Sequence, residues 1–505
     1  MNLKGFLIAG CVAAAGVGFA EDAAVTLYPT RGHLSRTFAK MERSTAERPE
    51  TLRVLFYGQS IVGQKVWCNQ IVDAWKKRYP TVNFVVKNLA VGGYATDTLV
   101  HCIESDIFPF YPDVLFFHDY GDVLGGYGYM LGEVRKRTTA EIVIWSSHFR
   151  YDEDPATVMK IRAGVDVPKK GNERNYGAEK TRTGEMRALA DDLALVFVDL
   201  QGSWAKILLD NKWGPKALIG DSVHMNDKGF PFYSKILLDA LTPDPKGAGE
   251  GGPSGTVSYL PYAQAAKVAK NGDITVEFDG NRIAAVANGE GVVEQPFGMF
   301  VPGGEVLIDG VSVRETPSQW INTRSTPINN WFPGCDTALK GKTMLQDEEW
   351  TLTILSYVTN AKPKYVTYRL EGSKTGFDGE GCSTNLFVSK SGRIVIPGPW
   401  LGSTCNPWKT SGPAANVSKT VWRSMLVPVP VYGPQPKGAE TVLAQGLANG
   451  RHVLTIRNPH GDLGIAGFVV NKPNPKWDRP LTERMQAFKK RIAGAEFFYG
   501  DAAWH

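Results

Sequence analysis

The chain has 505 residues, of which 43% are hydrophobic and 21% are charged, and its formal net charge is +5. This length favours two or more domains, and this composition excludes a disordered chain, a coiled coil and a bundle of membrane helices. Because the net charge is small and no block of Lys and Arg stands out, nucleic acid is not expected as a partner.

Residues 1–20 have the layout of a secretory signal peptide, in which Lys4 precedes an apolar run over 5–19 and Ala20 precedes an acidic pair. This predicts cleavage after Ala20 and export to the periplasm or the extracellular space. Residues 8–11 also resemble a lipobox, which would anchor the chain through a lipid on Cys11. The apolar run continues beyond Cys11, however, and this favours the first interpretation. No later segment has the roughly 18 uninterrupted apolar residues of a membrane helix, so no transmembrane span is predicted.

From residue 50 to residue 242, short β-branched or aromatic runs alternate with longer helical patterns, and this alternation predicts a parallel sheet built from βαβ units. The predicted strands cover 52–57, 82–87, 113–118, 141–146 and 195–200. Helices are predicted over 62–79, 123–137 and 226–241. The next segment, 243–255, is rich in Gly and Pro and is predicted to be a flexible linker.

Residues 256–475 have a different texture, in which short alternating strands are separated by Gly, Asn and Pro, as is typical of a β-sandwich or jelly roll. The predicted strands cover 274–278, 306–308, 351–356, 365–370, 393–396 and 452–457. The tail, 476–505, contains an amphipathic pattern over 481–493, which predicts a helix that packs back on one of the domains.

Cleavage after Ala20 would leave five cysteines, whose spacing matches no zinc or redox motif. An odd number leaves at least one unpaired. Cys68 could pair with Cys102, or two of the later three could pair with each other, and the connectivity stays open at this point. The later three are Cys335, Cys382 and Cys405. The sequence contains no phosphate-binding glycine motif and no histidine spacing for a metal site, so neither a cofactor nor a metal is expected.

Ser60 follows the first predicted strand directly and precedes a helical pattern. It therefore falls at the carboxyl edge of the sheet, where open α/β sheets bind ligands. The N-terminus of a helix also presents backbone N–H groups that suit an oxyanion. A serine in this position can equally be a plain helix cap, so this feature needs a partner elsewhere in the chain.

Asp221 and His224 supply that partner, in an Asp-Ser-Val-His motif just before the last helix of the α/β region. A hydroxyl needs a base within hydrogen-bond reach, and the base needs an acceptor that holds its tautomer and stabilises the imidazolium. An aspartate and a histidine three residues apart on one loop can meet this need. The motif predicts that His224 faces Ser60 and that Asp221 lies behind the ring.

Taken together, these blocks resemble the SGNH (GDSL-like) hydrolase family. The first block is Gly58-Gln59-Ser60, the last covers 221–229, and a further block covers 88–96 with Asn88 at its start. Alignment on Asn88 matches Gly93 to the family glycine whose N–H joins that of Ser60 in the oxyanion hole. The resemblance covers about residues 50 to 242, and it implies a flavodoxin-like three-layer α/β domain with a Ser-His-Asp mechanism.

Two departures from the family pattern affect the predicted site. Gln59 replaces the usual acid, and a Gly-Gln-Ser start resembles the sialate and xylan acetylesterase branches, which points to sugar esters. The family also has a Gly-x-Asn-Asp block after the third strand. Its oxyanion-binding asparagine aligns with Asp122, whose carboxylate would repel an oxyanion instead of donating to it. The predicted replacements for this donor are the His118 ring, the Tyr120 hydroxyl and the Gly121 N–H.

Five side chains near the predicted cleft are candidates for substrate binding. His148 follows the fourth predicted strand and would line the same cleft, although a histidine there can also be purely structural. The candidates are Gln59, His118, Tyr120, Asp122 and His148.

The predicted function is therefore that of an exported serine esterase that removes small acyl groups, by preference acetyl, from a carbohydrate. One alternative keeps the triad in an acyltransferase or a lipase-like esterase. Another is a carbohydrate-binding protein on a degenerate hydrolase scaffold, which the missing asparagine motivates. The oligomeric state is left open.

Overall fold

The structure is a computed structural model, which describes residues 27–165, 174–244, 251–290, 303–326, 337–358, 360–362, 365–398, 419–430, 432–433 and 435–493. The predicted signal peptide, Cys11, Cys335 and Cys405 lie outside these residues. Within them, no helix has the length and apolar character needed to cross a membrane.

The first part of the chain is built on a five-stranded parallel sheet with the order β2-β1-β3-β4-β5, which is the flavodoxin-like order. All five predicted strands are present. Their bounds are Thr51–Gly58 (β1), Asn83–Asn88 (β2), Val114–His118 (β3), Glu141–Trp145 (β4) and Val196–Val198 (β5).

Helices cover both faces of this sheet. Their bounds in the α/β part are Ser35–Glu42 (α1), Ser60–Gly63 (α2), Val66–Arg78 (α3), Thr96–Leu99 (α4), Ile103–Phe110 (α5), Gly128–Arg137 (α6), Pro155–Arg162 (α7), Arg174–Leu193 (α8), Leu200–Asp210 (α9) and Gly229–Ala240 (α10). A π-helical turn, Val123–Tyr127, precedes α6, and a 3₁₀ turn, Pro215–Ala217, precedes α10.

Successive side chains of β1 enter two different cores because strand side chains alternate between faces. Val54 and Phe56 pack with α3, α9 and α10, whereas Leu55 and Tyr57 pack with α5, α6 and α8. This is the expected three-layer arrangement.

The later part of the chain is entirely antiparallel where it is described, and it forms three sheets. The largest has eight strands, in the order β11-β10-β20-β9-β21-β7-β6 with β8 paired to β9. Its strands are Gly251–Gly252 (β6), Gly255–Pro261 (β7), Lys267–Val268 (β8), Ile274–Ala287 (β9), Gly303–Ile308 (β10), Val311–Ser312 (β11), Glu440–His460 (β20) and Ile465–Pro473 (β21). A short helix, Tyr262–Ala265 (α11), follows β7.

The other two sheets come from the chain between β11 and β20, and they share one core. Five strands have the order β12-β19-β14-β15-β16 and three have the order β13-β18-β17. Their bounds are Trp320–Asn322 (β12), Leu339–Lys340 (β13), Glu348–Val358 (β14), Tyr365–Gly372 (β15), Gly376–Cys382 (β16), Phe387–Val388 (β17), Ile394–Ile396 (β18) and Lys419–Leu426 (β19). The predicted fold class, an α/β domain followed by β-sandwich structure, is confirmed.

The predicted linker, 243–255, is wrong at its C-terminal end. Gly251–Gly252 pairs with β7, and β7 pairs along its length with β21. Glycine has little strand propensity. The strand to which this segment pairs, β7, is itself paired to β21, about two hundred residues later. The local pattern therefore could not reveal that 251–252 forms a strand. The domain boundaries themselves stay predictions.

The C-terminal helix, Glu483–Ala493 (α12), lies within the predicted helical tail. Its apolar residues Met485, Phe488 and Ile492 join the core that also contains α5, α6 and α8. The helix therefore packs on the α/β part of the chain.

No disulfide joins Cys68 to Cys102, so the suggested pairing of these two residues is wrong. Cys68 lies in the core on one face of the parallel sheet, and Cys102 lies in the core on the other face.

Candidate active site

Ser60 is the first residue of α2 and lies directly beyond the end of β1, as predicted. The turn that places it there requires glycine before Gln59. Gly58 has a φ of +140°, and a Cβ on this residue would lie 2.0 Å from the His118 carbonyl oxygen. This close approach of β1 to β3 presents Ser60 at the carboxyl edge of the sheet.

Asp221 and His224 form a hydrogen-bonded pair. The His224 Nδ1 lies 2.7 Å from one carboxylate oxygen of Asp221. The other oxygen accepts from the backbone N–H groups of Val223 at 2.8 Å and His224 at 2.7 Å. An ionised acceptor at Nδ1 assigns the proton to that nitrogen and leaves Nε2 as the basic atom.

The Asp221 carboxylate is held in its ionised form. Desolvation opposes ionisation, but the N–H groups of His224 and Val223 and the His224 ring outweigh it and lower the pKa of Asp221 to about 2. Asp221 therefore stays negative at every pH at which a neutral histidine can act as a base.

Gln64 joins the serine turn to the histidine loop. Its side-chain amide donates to the Met225 carbonyl at 2.9 Å, and its side-chain oxygen accepts from the Met225 N–H at 3.1 Å. Gln64 lies one helical turn after Ser60, and its N–H donates to the Ser60 carbonyl at 3.0 Å. Since Met225 is the neighbour of His224, these contacts hold the serine turn and the His224 loop side by side.

No direct hydrogen bond joins the Ser60 hydroxyl to His224 within the described part of the chain. Such catalytic hydrogen bonds are often long without substrate and tighten in the Michaelis complex.

His148 contacts the loop that carries Asp221 and His224. Its ring is 4% exposed, and its Nε2 donates to the Val223 carbonyl at 2.6 Å. Burial lowers the pKa of His148 to about 4, so the ring is neutral. The structure therefore places His148 as a buried support for the His224 loop, which is the structural alternative, and not as a substrate contact that lines the cleft.

The N–H of Ser60 is available for an oxyanion. The Gln59 side-chain oxygen accepts from the Ile61 N–H at 2.8 Å, and the Gln59 carbonyl accepts from the N–H groups of Val62 and Gly63. Among the described residues, no acceptor is within hydrogen-bond reach of the Ser60 N–H. The turn thus satisfies the N–H groups of Ile61, Val62 and Gly63, and among the described residues it leaves that of Ser60 without an acceptor.

Gly93 offers a second donor. Its φ of +79° requires glycine, and its N–H also has no acceptor in the part of the chain that the structure describes. The neighbouring Val91 N–H donates to the Gly58 carbonyl at 2.9 Å. This bond ties the loop that carries Gly93 to the end of β1, next to Ser60.

Gly121 lies beside the buried carboxylate of Asp119, and its carbonyl accepts from Arg182 at 2.6 Å. A Cβ on Gly121 would overlap the Thr96 hydroxyl, which donates to the same carboxylate. These contacts fix the position of Gly121, and its N–H stays a predicted third donor.

His118 and Gln59 form a buried chain that ends at Ser147. The Gln59 amide donates to His118 Nδ1 at 2.7 Å, and His118 Nε2 lies 3.3 Å from the Ser147 hydroxyl. His118 is 0% exposed, and burial lowers its pKa well below the ordinary value. Both ring nitrogens and both amide atoms are in use, so neither residue is free to bind substrate or an oxyanion, contrary to prediction. The chain links the ends of β1, β3 and β4 beneath Ser60.

Asp122 is also engaged within the fold. Its carboxylate accepts from the Gly125 N–H at 3.2 Å, as the cap of the π-helical turn, and pairs with Arg484 of α12 at 2.8 Å. It thus acts as a cap and an ion-pair partner, not as a substrate contact. Tyr120, whose ring lies edge-on to His118 with centroids 5.1 Å apart, stays a candidate for the third donor.

A scan against protein-family models gives no match, and a search of curated protein sequences gives none either. Among solved structures, a two-domain esterase active on acetylated mannans is 13% identical and covers 88% of this chain and 97% of its own, with a TM-score of 0.33. An acetylxylan esterase from Geobacillus stearothermophilus is 17% identical and covers 39% of this chain and 97% of its own, with a TM-score of 0.31. At these identities and TM-scores, the likenesses assign no activity to this chain.

Two residues near the candidate site, Gln64 and Tyr151, were not predicted from the sequence. Gln64 has a local signal, because it lies four residues after Ser60 on the same side of a helical turn. Tyr151 has no such signal: only the structure shows that its N–H donates to the Ser222 carbonyl at 3.2 Å and that the residue is 42% exposed.

Proposed function

We propose that this chain is an exported serine esterase of the SGNH type that removes acetyl or other small acyl groups from a carbohydrate. The observation that carries the proposal is the placement of the Asp221–His224 pair against the serine turn by Gln64, with free N–H groups at Ser60 and Gly93. A base with a fixed tautomer, a hydroxyl and two donors are the components that acyl transfer requires.

In the proposed reaction, His224 Nε2 takes the proton of the Ser60 hydroxyl as the oxygen attacks the ester carbonyl. The N–H groups of Ser60 and Gly93 stabilise the tetrahedral oxyanion. His224 then protonates the leaving alcohol of the sugar, and an acyl-enzyme remains on Ser60. Water, deprotonated by the same ring, hydrolyses this intermediate and releases the carboxylic acid.

The proposal is tested by the hydrolysis of p-nitrophenyl acetate, butyrate and octanoate by the mature chain, beside labelling with a radioactive organophosphate. We expect turnover that falls as the acyl chain lengthens and one label per chain on the peptide that contains Ser60. Rates that rise toward octanoate would favour a lipase-like esterase. No turnover and no label on Ser60 at neutral pH would favour a binding protein on a degenerate scaffold.

Carbohydrate is proposed as the substrate because an exposed aromatic residue is hydrogen-bonded to the loop that carries His224. The Tyr151 side chain is 42% exposed, and its backbone bonds to the loop between Asp221 and His224. The Lys216 ammonium lies 5.4 Å from the centre of the ring. An aromatic face beside a hydrogen-bond donor suits a sugar, which presents apolar C–H groups on its faces and hydroxyls at its edges.

Replacing Tyr151 with alanine is expected to raise KM for an acetylated oligosaccharide about two- to tenfold, which is the scale of the roughly 0.5–1.5 kcal/mol that a pair of aromatic rings contributes beyond the area it buries. The kinetics of p-nitrophenyl acetate should not change, because this ester has no sugar to bind. Tyr357→Ala is the matched control, since Tyr357 lies on β14 with the same exposure of 42%. Equal effects of the two substitutions on the oligosaccharide KM would refute a role for Tyr151.

A further inference from the structure

Arg324 belongs to the β part of the chain, where it follows β12, but its side chain enters the α/β part. The guanidinium Nε lies 3.2 Å and 3.1 Å from the two carboxylate oxygens of Asp106 on α5, and Nη2 also contacts Asp106. Nη2 donates in addition to the Leu89 carbonyl at 2.7 Å. The Asp106 and Arg324 side chains are 5% and 17% exposed, so this is a largely desolvated contact between the two parts.

Leu89 begins the loop that carries Gly93. Its N–H donates to the Phe56 carbonyl of β1 at 2.9 Å, and its carbonyl is the group that Arg324 holds. The next fixed point is Val91, whose N–H bonds to the Gly58 carbonyl. The direction of the free Gly93 N–H therefore depends on how firmly Leu89 and Val91 are held.

We propose that Arg324 is a positioning residue for the esterase reaction, which fixes the Leu89 end of this loop so that the Gly93 N–H points at the oxyanion. The inference rests on the proposed function. In this proposal the β part of the chain is a component of the active site. Arg324, more than two hundred positions after Leu89, holds the loop that carries the Gly93 oxyanion donor. A planar guanidinium suits this role, since it can serve the carboxylate and the carbonyl at the same time.

A second buried cation provides a matched control. Lys40 of α1 contacts Asp113 at 3.2 Å and Glu440 of β20 at 3.3 Å, and its side chain is 4% exposed. It too joins the α/β part to the β part. Asp113, however, precedes β3, so this contact lies at the amino edge of the sheet, away from Ser60.

The experiment compares Arg324→Gln, Lys40→Gln and Asp106→Asn in the full mature chain, with kcat and KM for p-nitrophenyl acetate and Tm as the readouts. All three variants lose one charge of a buried ion pair and should have a lower Tm. Only Arg324→Gln should lose kcat, by about tenfold or more, with KM unchanged, because complete loss of one oxyanion donor costs about 10²–10³-fold. Asp106→Asn keeps the bond from Arg324 to Leu89 and should keep its kcat.

Arg324→Lys serves if the glutamine variant does not fold. Lysine keeps a cation beside Asp106 but lacks the planar fork, so it should retain more of the Tm and still lose kcat. A folded Arg324→Gln or Arg324→Lys chain with the kcat of the Lys40→Gln control would overturn the inference. Failure of the proposed function would give a different result: the unaltered chain would not hydrolyse the ester, and the organophosphate would not label Ser60.

Discussion

Replacing Ser60 with alanine is expected to lower kcat for p-nitrophenyl acetate by about 10⁶-fold, the scale of loss when a serine nucleophile is removed from a triad. The reason lies in the arrangement of the site. The turn that Gln64 holds beside the Asp221–His224 pair carries no other hydroxyl that the pair could deprotonate. Without an attacking hydroxyl no oxyanion forms, so the two N–H donors have nothing to stabilise. KM should change little, because the hydroxyl contributes almost nothing to ground-state binding.

The measurement is steady-state turnover of the purified variant, supplemented by single-turnover kinetics at high enzyme concentration. Ser356→Ala is the control, because Ser356 is an exposed serine on β14. It should keep the kcat of the unaltered chain. Unchanged turnover in Ser60→Ala would mean that another group attacks the ester, and the proposed mechanism would then be wrong.

The fold was predictable from local patterns where those patterns decide the structure. The strands over 52–57 and 113–118 are buried runs of β-branched and aromatic residues, and such runs identify strands wherever they lie in the chain. The Asp221–His224 pair was predictable for a related reason. Asp221 and His224 are only three positions apart, so a short loop is enough to bring the carboxylate and the ring together.

The roles of other site residues depended on partners that no local pattern names. His118 follows a strand that ends at the site, and this suggested a donor for the oxyanion. Its ring is instead used by Gln59, which lies fifty-nine positions earlier, and by Ser147. Asp122 aligned with a catalytic asparagine, but Arg484 on the C-terminal helix pairs with it.

Arg324 illustrates the same limit most clearly. It lies two hundred and thirty-five positions from the carbonyl that it holds, in the other part of the chain. A single arginine in a β-rich segment has no periodicity or spacing that could indicate such a contact. Contacts of this kind, which join distant parts of the chain through the tertiary fold, are therefore the ones that sequence patterns predict least well.

Replacing Asp221 with asparagine is expected to lower kcat by about 10⁴-fold while the chain stays folded. An amide at this position can donate to His224 Nδ1, which would move the ring proton to Nε2, the atom that must accept the proton of Ser60. The carboxylate also stabilises the imidazolium that forms during attack, and the amide cannot. Asp221→Glu keeps the charge but not the 2.7 Å distance to His224 Nδ1, and its kcat should lie between those of the unaltered chain and Asp221→Asn.

The pH dependence of the same pair gives a second readout. Because the pKa of Asp221 is lowered to about 2, its contribution to the active site is fully present above the ordinary pKa of an aspartate and is lost only as the pH falls toward about 2. The kcat/KM profile should therefore show no inflection from Asp221 at mildly acidic pH, down to about pH 4. Asp221→Asn, which removes the carboxylate, is the control. An inflection near pH 4 to 5 in the unaltered chain that is absent from Asp221→Asn would mean that Asp221 takes up a proton there, and the carboxylate would then not be held in its ionised form.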